Sequence, residues 1–204
     1  MLYLLTFLIG YLVGSIPNGL YIGRWLQGID LREHGSKNIG ATNAYRTLGP
    51  KPALLVFTAD LLKGLIGVYA GQLIVGGALG GIVGGIAAIC GHNWSMFLGF
   101  KGGRGVATGL GVIALLSPHV TLIVFTVWLI IVLLTKYVSL GSIVAAACVP
   151  VLMWYYGEPM EVLFFGVAAA VFVIVRHRPN IERLLKGEEL KIKAGGKKPD
   201  QPQS

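Results

Sequence analysis

The segment GHNWSMFLGFKGGRGVATGLG, residues 91–111, lies between two strongly apolar runs. Its centre, Lys101-Gly102-Gly103-Arg104-Gly105, sets two cations among three glycines. Glycine lets the backbone turn freely and lets its N–H groups approach a ligand closely. Lys and Arg add positive charge and phosphate donors. Val106 to Leu116 reads as the start of a membrane helix, so the loop feeds a helix N-terminus, where unpaired N–H groups and the helix dipole favour an anion. Two readings of the segment stand side by side. One is a phosphate-binding loop at a membrane surface. The other is a basic cytoplasmic loop whose cations only set membrane orientation. It is not a P-loop, because no Gly-Lys-Ser/Thr follows at the required spacing. The run from Gly109 to Ala114 imitates a dinucleotide fingerprint but sits inside an apolar helical stretch with no strand before it.

Outward from the loop the chain is apolar. Of 204 residues, 54% are hydrophobic and 13% charged, with a mean hydropathy of +0.72. A soluble domain carries about 25% charged residues, so the composition predicts an all-α, polytopic membrane protein. Seven spans are expected: Leu2 to about Leu26, Pro52 to Val75, Ala78 to Leu98, Val106 to Leu116, His119 to Leu134, Ser142 to Tyr156 and Met160 to Val175. Ser117-Pro118 divides the fourth from the fifth. Behind Pro179 the spacing of Ile181, Leu184 and Leu185 predicts a short interfacial helix. Residues 1–190 are expected to form one transmembrane domain, and 191–204 a disordered cytoplasmic tail. The first span lacks a basic leader and a cleavage site, so it is not read as a signal peptide.

With seven spans, Arg24, Arg32, Lys37, Arg46, Lys51, Lys101, Arg104, Lys136, Arg176, Arg178 and Arg183 fall on one face, and no loop on the other face carries Lys or Arg. The positive-inside rule makes that face cytoplasmic, with the N-terminus outside and the C-terminus inside. The net charge of +8 is therefore distributed for an anionic membrane face and an anionic substrate, not for nucleic acid. Cys90 and Cys148 lie in or near apolar runs and suggest neither a disulfide framework nor a metal site. Gly10-xxx-Gly14, Gly67-xxx-Gly71, Gly77-xxx-Gly81 and Gly81-xxx-Gly85 are spacings that suit close helix packing in lipid.

Three loop segments on the charged face carry the candidate chemistry. In the first loop, Ser36, Asn38, Thr42 and Asn43 offer donors to phosphate or polyol oxygens, and Arg46 offers a bidentate grip on phosphate. A turn-rich loop with local side-chain bonds is the plainer account of the same residues. In the glycine-rich loop, Lys101 and Arg104 bring charge, Gly102 and Gly103 bring backbone N–H groups, and His92 and Asn93 are placed to orient the turn. At the third site, Ser142 begins the sixth span, and His177 and Asn180 precede Gly187-Glu188. A lipid-facing basic cluster is the alternative there. Asp60 and Lys63, three residues apart in the second span, read as a structural ion pair near its cytoplasmic end.

These segments together resemble a known family. Gly35-Ser36-Lys37-Asn38 through Arg46 is similar to the first motif of the bacterial acyl-phosphate:glycerol-3-phosphate acyltransferases. Gly91-His92 with Phe100 through Thr108 is similar to the second. Ser139 through Ser142 and Arg176 through Leu184, with Gly187-Glu188, are similar to the third. Lys37 stands where the family usually has glycine, Arg104 where lysine is commoner, and Trp94-Ser95 where proline is common. The resemblance implies a membrane enzyme of phospholipid synthesis. It would move a fatty acyl group from acyl phosphate to the sn-1 hydroxyl of glycerol 3-phosphate, using no cofactor or metal. It assigns phosphate to Ser36, Arg46 and Lys101, and the glycerol hydroxyls to His177 and Asn180. Asn38, Thr42, Asn43, Gly102, Gly103, Arg104, Ser142 and Glu188 support binding. His177 or the substrate phosphate takes the hydroxyl proton. The competing class is a transporter of a phosphorylated metabolite, against which the clustering of the polar residues at one face, not at the bilayer midplane, and the lack of an obvious inverted repeat both speak. A magnesium-dependent lipid phosphotransferase would need paired loop carboxylates, and Asp30 and Glu33 are the only loop acids on the charged face before the tail.

Overall fold

The computed structural model describes residues 1–192; most of the expected disordered tail lies outside the described residues. Among them the chain is all helical, with no strand. The first apolar run is broken by Ile16-Pro17 into α1 (Leu2–Ser15) and α2 (Asn18–Gln27), since proline brings no N–H to continue the ladder. A short helix follows where the sequence predicts only a polar loop, α3 (Ala41–Leu48). Its Asn43, Ala44 and Leu48 are buried against the rest of that subdomain. Then come α4 (Pro50–Ile74) and α5 (Gly77–Asn93), a single 3-10 turn at Met96–Leu98, and α6 (Val106–Leu116). The chain closes with α7 (Pro118–Thr135), α8 (Val138–Tyr155), α9 (Met160–Arg176) and α10 (Arg178–Leu185).

Five helical units are long and apolar enough to cross a bilayer: Leu2–Gln27, Pro50–Ile74, Gly77–Leu98, Pro118–Thr135 and Val138–Tyr155. A sixth exists if α9 and α10, bent by 56° at their junction, count as one span. The expected fourth span is α6, which at 11 residues rises only about 16 Å, roughly half of a ~30 Å hydrocarbon core. Length alone therefore yields five or six crossings where seven were expected.

The packing is inverted as lipid demands. Leu73, Leu122, Leu134, Trp154 and Phe164 lie exposed on the outside. Inside, α1, α4, α5 and α6 meet backbone to backbone. A Cβ added at Gly14 would overlap the Ala88 carbonyl, and one at Gly64 would overlap that of Thr108. Such contacts gain dispersion where lipid offers no hydrophobic drive. Gly77 is not part of this seam; it begins α5 in a left-handed turn with open space around it. The other half of the bundle, α6 to α9, packs with larger side chains around Val112, Val124, Val149, Met153 and Phe165. A cavity runs between the two halves.

Candidate active site

The cavity has a volume of about 190 Å³. One end is polar and lined by Ser36, Asn38, Thr42, Arg46, Asp60, His92, Arg104, Ser139, Ser142, His177 and Glu189. The other is apolar and continues past Leu110, Ile113, Val124, Val149 and Ala170. Thus all three sequence motifs contribute to one chamber, with a greasy extension between α6, α7, α8 and α9.

The first loop is held by Asn43. Its Oδ1 accepts from the Ser36 N–H at 2.8 Å, and its Nδ2 points at the carbonyls of Leu31, His34 and Asn38 at 3.0, 3.0 and 2.8 Å. Expected to bind substrate, Asn43 instead spends its polar atoms shaping the loop. Asn38 accepts from the Gly40 N–H at 2.8 Å, forming a turn before α3. That leaves Ser36, Thr42 and Arg46 presented to the cavity. Among the described residues the Ser36 Oγ has no hydrogen-bond partner.

The glycine-rich loop also departs from expectation. Lys101 is exposed and Gly102 and Gly103 do not line the cavity. The Gly103 N–H donates to the His92 carbonyl at 3.0 Å, so it is not offered to a ligand. A Cβ at Gly102 would overlap that same carbonyl. The glycines are there to bring the loop down onto the end of α5, as the expected role of His92 in orienting the loop requires. Arg176 Nη2 donates to the Gly103 carbonyl at 2.9 Å and braces the loop from α9. What reaches the cavity is Arg104, with Gly105 at φ +76° turning the chain into α6.

At the third site His177 is buried at the corner after α9. Its Nδ1 lies 2.8 Å from the Val173 carbonyl. A carbonyl only accepts, so Nδ1 carries the proton and Nε2 keeps its lone pair. Burial pushes the imidazole down to about 4, helped by the charges of Arg104 and Arg176. It is therefore neutral near pH 7. Asn180 Nδ2 donates to Glu189 Oε1 at 2.7 Å, which leaves its buried Oδ1 without a partner among the described residues. Ser142 Oγ donates to the Val138 carbonyl at 2.9 Å, so it faces the cavity as an acceptor and not as the expected donor.

Glu188, expected at the site, is exposed; its neighbour Glu189 is the buried one. Glu189 accepts from Ser139 Oγ, Asn180 Nδ2 and Arg183 Nε, each at 2.7 Å. Burial opposes its charge, but these bonds outweigh burial and hold the carboxyl below its ordinary value. Around it stand Arg183, bonded to it, and Arg46 and Arg104, which feel its charge; Arg176 is a further neighbour of Arg104. Arg104 is pushed down to about 10 by burial, and the neighbouring arginines push it in the same direction. Burial also lowers Arg46. Three guanidiniums near one carboxylate form a site with a standing demand for anion.

Asp60 and Lys63 are paired at 2.9 Å and both are buried. They lie at the middle of the 25-residue α4 and not near its end as expected. Asn18 Nδ2 donates to Asp60 Oδ1 at 3.1 Å, and His92 Nδ1 lies 3.7 Å from it. The knot joins α2, α4 and α5 under the cavity floor. Asp60, His92, Ser139, Arg176, Arg183 and Glu189 were not assigned to the site from sequence. His92, Ser139, Arg176 and Arg183 stand inside the motif segments, and Asp60 is marked by the cost of an acid inside an apolar helix; Glu189 carries no signal of its own.

This arrangement has relatives. A family model described as glycerol-3-phosphate acyltransferase matches residues 4–187. A glycerol-3-phosphate acyltransferase 2 of Moorella thermoacetica is 48% identical, over 94% of this chain and 98% of its own. A glycerol-3-phosphate acyltransferase of a Synechococcus strain is 47% identical, over 93% of this chain and 94% of its own. The crystal structure of PlsY (YgiH), an integral membrane glycerol 3-phosphate acyltransferase in its glycerol 3-phosphate form, superposes with a TM-score of 0.88. It is 43% identical, covering 94% of this chain and 96% of that one. Its lysophosphatidic acid form gives 0.87 at 42% identity. With its three motif segments gathered on one anion-seeking cavity, the chain belongs to the glycerol-3-phosphate acyltransferase family of integral membrane enzymes.

Proposed function

We propose that the protein transfers a fatty acyl group from acyl phosphate to the sn-1 hydroxyl of glycerol 3-phosphate, releasing lysophosphatidic acid and inorganic phosphate. The observation that carries this reading is the join between a chamber lined by Arg46 and Arg104, with Arg176 and Arg183 as charged neighbours of Arg104, and an apolar extension that suits an acyl chain. Both substrates carry phosphate, and one of them carries a chain. Family membership favours an enzyme over the transporter considered from sequence.

In the proposed step the glycerol oxygen attacks the acyl carbonyl carbon. The bond from that carbon to the phosphate oxygen breaks, and its electron pair leaves with phosphate. Ser36, Thr42, Arg46 and Arg104 hold phosphate. The Asn180 carbonyl and His177 Nε2 accept from the glycerol hydroxyls and aim the attacking oxygen. An imidazole lowered to about 4 is a weak base near pH 7. A phosphate monoester, with a second pKa of about 6, is better matched to take the proton. Direct attack needs no acyl-enzyme, and no relay of serine, histidine and carboxylate lines the cavity among the described residues.

The proposed setting is the bacterial inner membrane, with the site facing the cytoplasm, seven crossings, and residues 1–190 as one domain. In that topology α6 is a short crossing. The glycine-rich loop before it enters membrane depth as irregular backbone buried in protein, which lipid tolerates. With Cys90 and Cys148 replaced, a cysteine at the exposed Glu33 position should resist an impermeant thiol reagent added outside intact cells, and one at Gly76 or Glu158 should react. The reverse pattern sinks the orientation.

The activity is tested on purified protein in lipid. Acyl phosphate plus glycerol 3-phosphate should give phosphate and lysophosphatidic acid in step, an acyl thioester should not, and Ser36→Ala should abolish turnover. Turnover with the thioester alone keeps the reaction class but removes the donor.

A further inference from the structure

Residues 187–192 leave α10 and cross the corner between α7 and α8 as an irregular strap. It has three anchors. Glu189 is held by Ser139, Asn180 and Arg183. Lys191 Nζ sits 5.3 Å over the Tyr137 ring. The Ile192 N–H donates to the Lys136 carbonyl at 2.8 Å. Between these anchors the Leu190 carbonyl accepts from Arg46 Nη2 at 2.7 Å, linking the strap to α3 across 144 residues of chain. Arg46 Nε is buried with no partner among the described residues.

The arrangement is unequal to the charge it serves. A half-buried guanidinium, with Glu189 as its anionic neighbour and Arg183 and Arg104 as cationic ones, has one neutral carbonyl as its hydrogen-bond acceptor among the described residues. A phosphate offers charged oxygens that take two guanidinium donors at once and bind roughly twice as strongly as a neutral acceptor. The Leu190 carbonyl therefore occupies a donor that phosphate would take more strongly.

We propose that the strap is a latch. The Leu190 carbonyl keeps Arg46 in the cavity wall while the site is empty. Substrate phosphate then takes the guanidinium, and residues 190–192 loosen while Glu189 stays anchored. This rests on the reading of Arg46 as a phosphate ligand. Linkage makes the coupling reciprocal: whatever the phosphate costs the strap, loosening the strap returns to phosphate binding.

The test uses the full-length protein in detergent. Amide hydrogen exchange of the segment holding Leu190 to Ile192 is followed without ligand and with glycerol 3-phosphate at saturation. Exchange should speed up on binding while the centre of α4 stays protected. The double variant Lys191→Ala/Ile192→Pro removes two anchors without touching Arg46 or Glu189. Its KM for glycerol 3-phosphate should fall on the order of fivefold, with kcat little changed. Arg46→Ala should raise KM and abolish the ligand's effect on exchange. Exchange that ignores saturating ligand, or a KM that stays or rises in the double variant, overturns the latch. An unchanged KM in Arg46→Ala overturns instead the phosphate reading beneath it.

Discussion

Gly103 lies directly against His92. Its N–H donates to the His92 carbonyl at 3.0 Å, and a Cβ built on it would overlap the imidazole Nε2. His92 is buried on the Asp60 side of the cavity, so neither partner has room to move.

Gly103→Ala should therefore push the loop off α5 and displace Arg104. A misplacement of about 1 Å costs on the order of 100-fold in rate. Steady-state kinetics on folded protein should show that loss. Wild-type turnover would mean that the close approach is dispensable. Lys101→Ala, with its side chain exposed, should change turnover far less.

The two adjacent glutamates should separate cleanly. Glu189→Ala leaves Ser139, Asn180 and Arg183 without their shared acceptor. Breaking one partner of a buried ion pair costs about 3 kcal/mol, so the thermal midpoint and activity should both fall. Glu188→Ala should match wild type in both measurements.

His177 makes stability depend on pH. Its folded value of about 4 lies below the ordinary histidine value of 6.5. Between those values the unfolded chain binds more protons than the folded one, so stability falls as pH drops through that window. Midpoints recorded from pH 7 to 4 should fall more steeply for wild type than for His177→Asn. Parallel curves would mean that the imidazole is not buried as a neutral group.

Lys37 sits at φ +57°, in the left-handed region, with its side chain exposed. A residue with a Cβ pays roughly 1–2 kcal/mol there. Lys37→Gly should therefore raise stability by about 1 kcal/mol and leave the KM values alone. The family's glycine at this position answers a backbone need, and the lysine does not line the cavity.

Asp60→Asn strands the Lys63 charge among α2, α4 and α5. Breaking such a pair should cost about 3–5 kcal/mol. Removing both charges in Asp60→Ala/Lys63→Ala should cost less than the sum of the single changes. Additive losses in a denaturation cycle would show that the two residues do not act as a pair.

Sequence by itself determined the class of solvent, the apolar helices, and the three loop segments that meet at the cavity. These follow from local properties: long apolar runs must hide their backbone in helices, and basic residues, the ion-paired Lys63 apart, gather at the ends of the runs or between them. The residues that merely touch the motifs were harder to sort. Glu188 and Glu189 are chemically identical neighbours, and only the path of the strap buries one of them. Asn43 looks like a ligand until the loop closes around it and uses every polar atom. Gly102 and Gly103 look like phosphate donors until the end of α5 claims their backbone. The helix at Ala41–Leu48 has too short a pattern to stand out, and is stabilised by packing on Leu31 and Val56. In each case the decision belongs to partners that the local sequence pattern does not pair, because a polar group's role is set by which acceptor or donor reaches it first. Only tertiary structure brings those partners within 3 Å.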